Sequence, residues 1–294
     1  MRYNYEKLLT EPARTFRTHD EIGPVIKCNF HVHPEYELTY IVSSCGTRFV
    51  GDNIAMFDTG DLALIGPMVP HHYYNSPSDS RSAAWGHARI VQFKDDFAGI
   101  LLFQLPEFSP IRKMLDAARY GLSFAPETAR RAAPVLNRLF LADGPDRVIL
   151  LLRLLALLAD ADYRQLSTVA GDERLAVLPG RMDEVIRYIH SCLENNRPVS
   201  LEQTARKASM NPQAFSRYFR KTTFKRFIDY VNEIKIGKAC RLLLNTDRTV
   251  AEICFDAGFN NLSNFNRHFL RVKKISPREF REQFYRHRNS GAQS

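Results

Sequence analysis

The pattern of apolar and polar positions changes character twice along the chain. From about residue 25 to residue 88, short runs rich in β-branched and aromatic residues are separated by Gly, Pro, Asn and Asp. Runs of this length and spacing predict the strands of a small antiparallel barrel or sandwich. They read VIKCNFHV, ELTYIV, TRFVGD and DLALIGP. We therefore expect an all-β domain over residues 1–95.

Helical periodicity replaces this pattern after about residue 95. Apolar positions recur at helical spacing over 97–120 and 127–142, and a helix over 146–162 is apolar over most of its circumference. Such a helix has to be buried, either in its own domain or against a partner subunit. The sequence leaves both alternatives open, with Val148–Leu158 as the candidate dimerisation surface.

The segment between the two halves of the chain divides into a connector and a linker. Residues 96–166 form the predicted helical connector. Residues 167–180 are small and rich in turn formers, which is typical of a linker. The remaining residues, 181–288, then form a second domain.

The last third of the chain contains one short phrase twice. Residues 215–219 read FSRYF and residues 265–269 read FNRHF. Each phrase places two Phe side chains one helical turn apart, with an Arg that faces another way. The residues before each phrase also correspond: Leu201, Ala205, Ser209 and Met210 recur as Val250, Cys254, Gly258 and Phe259. Two copies of helix, tight turn and second helix predict an all-α, doubled helix-turn-helix domain.

The charge distribution agrees with a domain that faces nucleic acid. Residues 181–294 hold 22 of the 41 Lys and Arg residues but only 11 of the 32 Asp and Glu residues, a net charge of +11. Residues 1–180 carry a net charge of −2, so the whole excess of +9 lies in the C-terminal part. A basic module of this kind is typical of a partner of double-stranded DNA.

Cysteine usage and the N-terminus indicate a cytoplasmic protein that does not bind membranes. The five cysteines are dispersed and form no CxxC pair, which favours a reducing compartment. The first residues lack the apolar stretch of a signal peptide, and the most apolar run is too short to span a bilayer and contains Arg153.

Helix boundaries in the C-terminal part can be read residue by residue. Ser200, Asn211 and Thr249 are good N-cap residues, and Gly258 suits a turn that needs a positive φ. Once the Phe pairs are buried, polar side chains remain on the other faces of the two second helices. These candidates for reading base edges are Gln213, Ser216, Arg217, Arg220, Ser263, Asn264, Asn266 and Arg267.

The stretch AEICFDAGFNNLSNFNRHF, followed by ISPREFR, resembles the signature of the AraC/XylS family of transcription regulators. Residues 181–287 resemble the DNA-binding domain of that family. The resemblance implies two helix-turn-helix units on one long helix, with the recognition helices in successive major grooves. It also implies an activator, a homodimer and RNA polymerase as a partner. The implied base-reading positions are Gln213, Ser216, Arg217, Leu262, Ser263, Asn266 and Arg267.

Two departures from the family pattern concern the turns after the recognition helices. Phe224 and the segment Lys274-Ile275 stand where the family usually has Gly. A non-Gly residue in a left-handed conformation costs roughly 1 kcal/mol. The sequence leaves open whether these turns keep that conformation or are built differently.

A second set of residues points to chemistry in the N-terminal domain. His31, His33 and Glu37 form a His-x-His-x3-Glu element, and GDLALIGPMVPHHYYN adds His71, with His72 as its substitute. The two elements resemble the paired motifs of the cupin barrel, in which two His, one Glu and a later His bind a divalent metal. Imidazole nitrogens with one carboxylate suit iron, manganese, nickel or zinc.

Three interpretations of this set remain open. The residues could bind a metal, hydrogen-bond a metal-free ligand, or satisfy one another. The resemblance to AraC-like regulators implies a cupin-like sensor barrel for a small molecule, often a sugar, without a certain cofactor. Trp85 would then stack on the ligand, although ordinary core packing is the simpler interpretation.

The expected function is that of a ligand-controlled transcription regulator and not an enzyme. One alternative is a metal-dependent cupin enzyme fused to a DNA-binding domain. Another is a DNA-binding protein that responds to no ligand.

Overall fold

The computed structural model describes residues 4–5, 14–24, 26, 28–75, 85–171 and 182–290. The chain divides into two compact units, Met1–Gly180 and Arg181–Ser294. The first is a two-sheet β domain with packed helices, and the second is all-α. Within the described residues, no helix is long and apolar enough to cross a membrane.

The first unit contains eleven described strands and three α-helices. The strands are β1 (Asn4–Tyr5), β2 (Arg17–Gly23), β3 (Cys28–Val32), β4 (Tyr36–Ser43), β5 (Gly46–Val50), β6 (Asn53–Phe57), β7 (Leu62–Ile65), β8 (His71–Tyr74), β9 (Gly86–Phe93), β10 (Leu122–Phe124) and β11 (Tyr163–Gln165). The helices are α1 (Ser109–Ala118), α2 (Pro126–Leu141) and α3 (Pro145–Ala159).

The strands form a five-stranded sheet in the order β1-β3-β8-β5-β6 and a six-stranded sheet in the order β11-β10-β7-β4-β9-β2. Described strand pairs are antiparallel, except for the short parallel pair of β1 and β3. The strand prediction over residues 25–88 is therefore confirmed, and β2 lies before the predicted range.

The two sheets share one apolar core. Ile41 and Ala88 from the six-stranded sheet belong to the same buried cluster as Val50, Phe57 and Tyr73 from the five-stranded sheet. Side chains alternate along each strand. Every second residue of β4 and β9 therefore faces this interior, and the residues between them face the helices.

The helices α1–α3 cover the other face of the six-stranded sheet. Leu38 and Val91 lie in one apolar cluster with Leu151, Leu154 and Leu158 of α3. Most of the apolar circumference of α3 is therefore buried within its own domain. Ile149, Arg153 and Ala156 remain on its exposed face, and the dimerisation role of Val148–Leu158 stays a prediction.

The prediction of a helix over 97–120 is wrong in its first half. Only short 3₁₀ turns precede α1, which begins at Ser109. Leu105 has an extended conformation, with ψ 141°, because the ring of Pro106 disfavours helical geometry in the residue before it.

The predicted helical connector also contains two strands that sequence periodicity did not reveal. β10 pairs with β7, and β11 pairs with β10. Both strands are three residues long, which is too short to show an alternation. The chain after residue 95 therefore extends the six-stranded sheet as well as covering it.

The beginning of the predicted linker, residues 167–180, is attached to the β domain. Asp52 accepts hydrogen bonds from the hydroxyl groups of Ser167 (2.8 Å) and Thr168 (2.6 Å). The backbone N–H of Gly171 donates to the carbonyl of Arg119 at 2.8 Å. The rest of the predicted linker lies outside the described residues.

Residues 182–290, the described part of the second unit, form seven helices. They are α4 (Met182–Glu194), α5 (Leu201–Lys207), α6 (Pro212–Thr223), α7 (Phe227–Asn245), α8 (Val250–Asp256), α9 (Leu262–Lys273) and α10 (Pro277–Ser290). Helices predicted over 182–196 and 227–244 are thereby confirmed as α4 and α7. The repeated Phe pairs anchor α6 and α9, since Phe215, Phe219, Phe265 and Phe269 are fully buried.

Candidate metal centre and candidate nucleic-acid interface

Four side chains predicted from the sequence converge inside the β domain. The ligand atoms of His31, His33, Glu37 and His71 all lie within 4.8 Å of one another, and all four residues are buried. Metal bonds of roughly 2.1 Å place ligand atoms about 3 to 4 Å apart, so the cluster is close to the size that a metal ion imposes.

Three strands from the two sheets and the residue directly after β3, His33, build the cluster. His31 on β3 pairs with His71 on β8 in the five-stranded sheet, and Glu37 lies on β4 of the other sheet. His72, the substitute for His71, is not part of the cluster, because neighbouring side chains on a strand point to opposite faces.

Two backbone carbonyls orient the imidazole rings. Nδ1 of His33 donates to the carbonyl of Glu35 at 3.1 Å, and Nδ1 of His71 donates to the carbonyl of Val69 at 2.9 Å. A neutral ring with a proton on Nδ1 has its lone pair on Nε2. Both Nε2 atoms face Glu37 Oε2, at 3.2 Å from His33 and 3.6 Å from His71.

This arrangement requires positive charge at its centre. Lone pairs of two neutral imidazoles directed at one carboxylate oxygen repel it, unless protons or a metal cation lie between them. Nε2 of His71 is buried and has no hydrogen-bond partner among the described residues. A divalent ion held by the four side chains would satisfy every one of these atoms.

The environment of Glu37 favours its charged form. Burial by itself would raise the pKa of this carboxyl, but positive charge on the imidazoles of His71 and His33, together with hydrogen bonds from them, would hold the pKa well below its ordinary value. Thr39 and Gln92 also donate hydrogen bonds to it, at 2.7 and 2.9 Å. No sequence motif indicated Thr39 or Gln92, although both side chains lie on the inward-facing side of their strands.

The structure does not bring Trp85 to this cluster. Trp85 precedes β9, and its side chain is 63% exposed. Gln92, the residue of β9 beside Glu37, lies seven positions further on, which is about 23 Å along an extended strand. Neither stacking on a ligand at the cluster nor core packing describes this side chain.

The starts of the helices in the second unit agree with the N-caps expected from the sequence. Side chains of Ser200, Asn211 and Thr249 each accept a hydrogen bond from the first turn of the following helix. Thr249 also forms a reciprocal capping box with Glu252. Asn261 caps α9 through the N–H of Asn264 at 2.8 Å.

The tight turns of the two copies have the same hydrogen bonds. Met210 N–H donates to the carbonyl of Ala205, and Phe259 N–H donates to the carbonyl of Cys254, both at 3.0 Å. This pattern ends a helix with one left-handed residue. Gly258 has φ 86°, and Ser209 adopts the same region with φ 54°.

The turns after the recognition helices keep the left-handed conformation without Gly. Phe224 has φ 56° and Lys274 has φ 64°. The alternative that these turns are built differently is therefore wrong, and each residue accepts a strain of roughly 1 kcal/mol.

The exposed faces of α6 and α9 carry the polar side chains selected from the sequence. On α6, Gln213, Arg217 and Arg220 are exposed and Ser216 is half-buried. On α9, Leu262, Ser263, Asn266 and Arg267 are exposed and Asn264 is half-buried. Asn264 Oδ1 accepts a 2.7 Å hydrogen bond from Arg267, which orients the guanidinium on the helix surface. Donors and acceptors on exposed helix faces suit base edges in the major groove.

The long helix α7 contacts both helix-turn-helix copies through polar side chains that no sequence motif indicated. Glu233 accepts a 2.7 Å hydrogen bond from Lys225, which follows α6. Lys235 donates a 2.6 Å hydrogen bond to the carbonyl of Gly258, in the turn before α9. Burial lowers the pKa of Lys235.

Known proteins are similar in sequence to the C-terminal part of this chain. A family described as a helix-turn-helix domain matches residues 204–283. The transcriptional activator RhaS of Mannheimia succiniciproducens is 30% identical over 104 residues, which are 35% of this chain and 39% of RhaS. The transcriptional activator RhaR of Klebsiella pneumoniae is 26% identical over 261 residues, 86% of each chain.

The C-terminal unit is an AraC-type helix-turn-helix domain. A solved structure similar to it is the DNA-binding domain of AdpA in complex with a target DNA, which is 25% identical and has a TM-score of 0.34. That similarity covers 36% of this chain and 96% of the AdpA chain. The present chain matches less than half the length of the first relatives, for example 41% of the regulator YobQ of Bacillus subtilis.

Proposed function

We propose that this protein is a sequence-specific, DNA-binding transcription regulator. The observation that carries the proposal is the pair of exposed, polar recognition-helix faces on α6 and α9, both held by α7 in a strongly basic domain. Double-stranded DNA is its partner. An activator role, with RNA polymerase as a partner, is supported by the likeness to RhaS and RhaR, which are named as activators.

The β domain acts as the sensor, and a divalent metal ion is its input at the four-residue cluster. His31, His33, Glu37 and His71 hold the ion, while Thr39 and Gln92 orient the carboxylate. The facing Nε2 lone pairs of His33 and His71 support this assignment. The ion would supply positive charge that fixes the two sheets against each other, since its ligands come from both.

Control of DNA binding then follows from linkage. An ion or effector bound in the β domain changes DNA affinity only if it binds the DNA-binding state and the inactive state of the protein with different affinities. The change in DNA affinity cannot exceed that difference. A twofold-symmetric homodimer, with the exposed face of α3 as its surface, would place two such DNA-binding domains on one operator.

Selection from a random DNA library with the full chain tests this function. The expected product is an enriched site of two short elements about one helical turn apart. Fluorescence anisotropy would then compare the selected duplex with a scrambled one, for protein treated with a chelator and for protein reloaded with zinc or manganese. The selected duplex should bind at least about 1,000-fold more tightly than the scrambled one at physiological salt.

The outcomes separate the parts of the proposal. Absence of any enriched sequence contradicts the regulator function itself. Enrichment with equal affinity for the chelated and the reloaded protein retains the regulator and removes the metal input. Bound metal together with turnover of a small substrate would favour the cupin enzyme.

A further inference from the structure

A cavity of about 690 Å³ lies at a corner of the β domain, away from the histidine cluster. Its walls come from β4, the turn between β6 and β7, the start of α2 and the segment that enters β11. The size is in the range of about 300 to 1,000 Å³ that is typical of pockets for small molecules. Nothing in the proposed DNA-binding or metal-binding roles uses this cavity.

The inner wall of the cavity is apolar. Phe57, Phe124 and Ala129 line it and are almost fully buried. The ring of Tyr163 packs edge-to-face on Phe124, with centroids 6.2 Å apart, and remains partly exposed. A wall of this kind suits the apolar body of a ligand.

Charged groups of both signs stand at the rim. Asp61 is already paired with the buried Arg48 at 2.5 Å, and Arg130 is paired with Glu127. Arg164 also lies near Asp61, since burial raises the pKa of Asp61 and the charges of Arg48 and Arg164 oppose that rise. Neither Arg164 nor Asp162 forms a hydrogen bond or an ion pair within the part of the chain that the structure describes.

The spacing of the two unpaired charges is suited to a ligand that carries both signs. Arg164 and Asp162 are two residues apart on an extended segment, so their Cα atoms are about 6.6 Å apart. A carboxylate and an ammonium group on one carbon would match a guanidinium and a carboxylate at that separation. Hydroxyl groups of Ser123, Tyr40 and Tyr163 around the same cavity can donate further hydrogen bonds to a ligand carboxylate.

We propose that this corner cavity is a second ligand site that binds an amino acid with an apolar side chain. The side chain lies against Phe57 and Phe124, Arg164 binds the carboxylate and Asp162 binds the ammonium group. This zwitterion class uses the apolar wall and both unpaired charges. A polyol would leave the apolar wall unused, and a simple acid would leave Asp162 unpaired.

The position of the cavity would also allow a bound ligand to affect DNA binding. This part of the inference rests on the proposed function. Tyr163 and Arg164 belong to β11, a three-residue edge strand whose residues are all exposed. The chain then runs directly into the segment that Asp52 holds and on towards the second unit at Arg181. A ligand that orders β11 therefore acts on the last described strand of the first unit.

Isothermal titration calorimetry on the full chain tests the site. L-Phenylalanine, L-leucine and L-methionine are the probes, with 3-phenylpropanoate and 2-phenylethylamine as analogues that lack one charge. We expect at least one amino acid to bind with a Kd below about 1 mM, and both analogues to bind at least tenfold more weakly. Arg164→Gln and Asp162→Asn should each weaken binding at least tenfold, whereas Arg153→Gln, on the exposed face of α3, should leave it unchanged.

Three results would overturn the proposal. The first is the absence of binding heat from every amino acid at about 10 mM, on the order of the weakest useful affinity. The second is binding of an analogue or of D-glucose as tight as that of the amino acids. The third is an unchanged Kd for the amino acid in Arg164→Gln. DNA affinity measured by anisotropy on the same samples is independent of these results. If the protein did not bind DNA, the regulator function would be contradicted. The calorimetric result for the cavity would still stand.

Discussion

Arg271 on α9 donates a 3.1 Å hydrogen bond to Asp229 on α7. Asp229 also accepts a 2.7 Å hydrogen bond from Arg226, which precedes α7. One carboxylate on the connecting helix therefore contacts the second recognition helix directly. Together with Glu233, which holds Lys225, it sets the orientation of both recognition helices against α7.

We predict that Asp229→Asn destabilises the protein at neutral pH but not in acid. Burial by itself would raise the pKa of Asp229, but Arg226 and Arg271 hold it below its ordinary value of 3.8. Because the pKa is lower in the folded protein, the ionised carboxylate stabilises the fold at pH values above its unfolded-state pKa of about 3.9. This stabilisation is lost as the pH falls through the pKa of the folded state. Because the carboxylate is partly exposed, the loss at pH 7 should be under about 1 kcal/mol.

Urea denaturation of both proteins at pH 7 and near pH 3 measures this difference. The gap between Asp229→Asn and the unsubstituted protein should close in acid. A gap of the same size at both pH values would show that the ion pairs do not stabilise the fold.

We predict that Arg267→Glu lowers affinity for the selected DNA by on the order of 100-fold. A lost bidentate base contact costs roughly 1 to 3 kcal/mol, and the new carboxylate repels phosphate. Arg112→Glu makes the same charge change at an exposed position of α1 in the first unit and should bind normally. Anisotropy at fixed salt compares the two, and equal affinities would remove α9 from the interface.

We predict that Glu37→Gln weakens zinc or manganese binding by more than tenfold. The substitution removes the only carboxylate of the cluster, and loss of even an orienting neighbour such as Gln92 typically costs 10- to 100-fold. Metal content by mass spectrometry and the shift of Tm with added metal provide the measurement. His87→Gln, at a surface site, serves as the control. A stoichiometric metal in Glu37→Gln would contradict the assignment.

We predict that Lys274→Gly stabilises the second unit. Lys274 is exposed and has φ 64°, a conformation that costs a non-Gly residue roughly 1 kcal/mol and costs Gly little. Lys273→Gly, one residue earlier within α9, should instead destabilise by about 1 kcal/mol. Thermal denaturation that ranks the two variants in the opposite order would show that Lys274 is not strained.

The helices of the C-terminal unit could be predicted from the sequence almost completely, because the signals that define them are local. N-caps such as Asn211 and Thr249 act within one helical turn, and each Phe pair marks the buried face of its own helix. The left-handed Phe224 and Lys274 were the exception. Their own propensities argue against that conformation, and only the packing of the following helices maintains it.

The residues of the candidate metal centre were predictable from the sequence, but the residues around them were not. Its motif predicted all four residues that converge. It did not predict that Gln92 would complete the environment of Glu37, because these residues are 55 positions apart and meet only through the pairing of β4 and β9. Trp85 is exposed before β9, and its role as a ligand-binding residue stays a prediction.

Sequence alone thus predicted most of the strands and helices and the four side chains that converge in the β domain, since periodicity, capping and residue type act over a few residues. The tertiary structure alone decided that α3 is mostly buried in its own domain, that β10 and β11 extend a sheet, and that a cavity opens beside Phe124 and Arg164. Those features depend on the register of strands far apart in the chain, and the apolar pattern of a single three-residue strand does not determine that register.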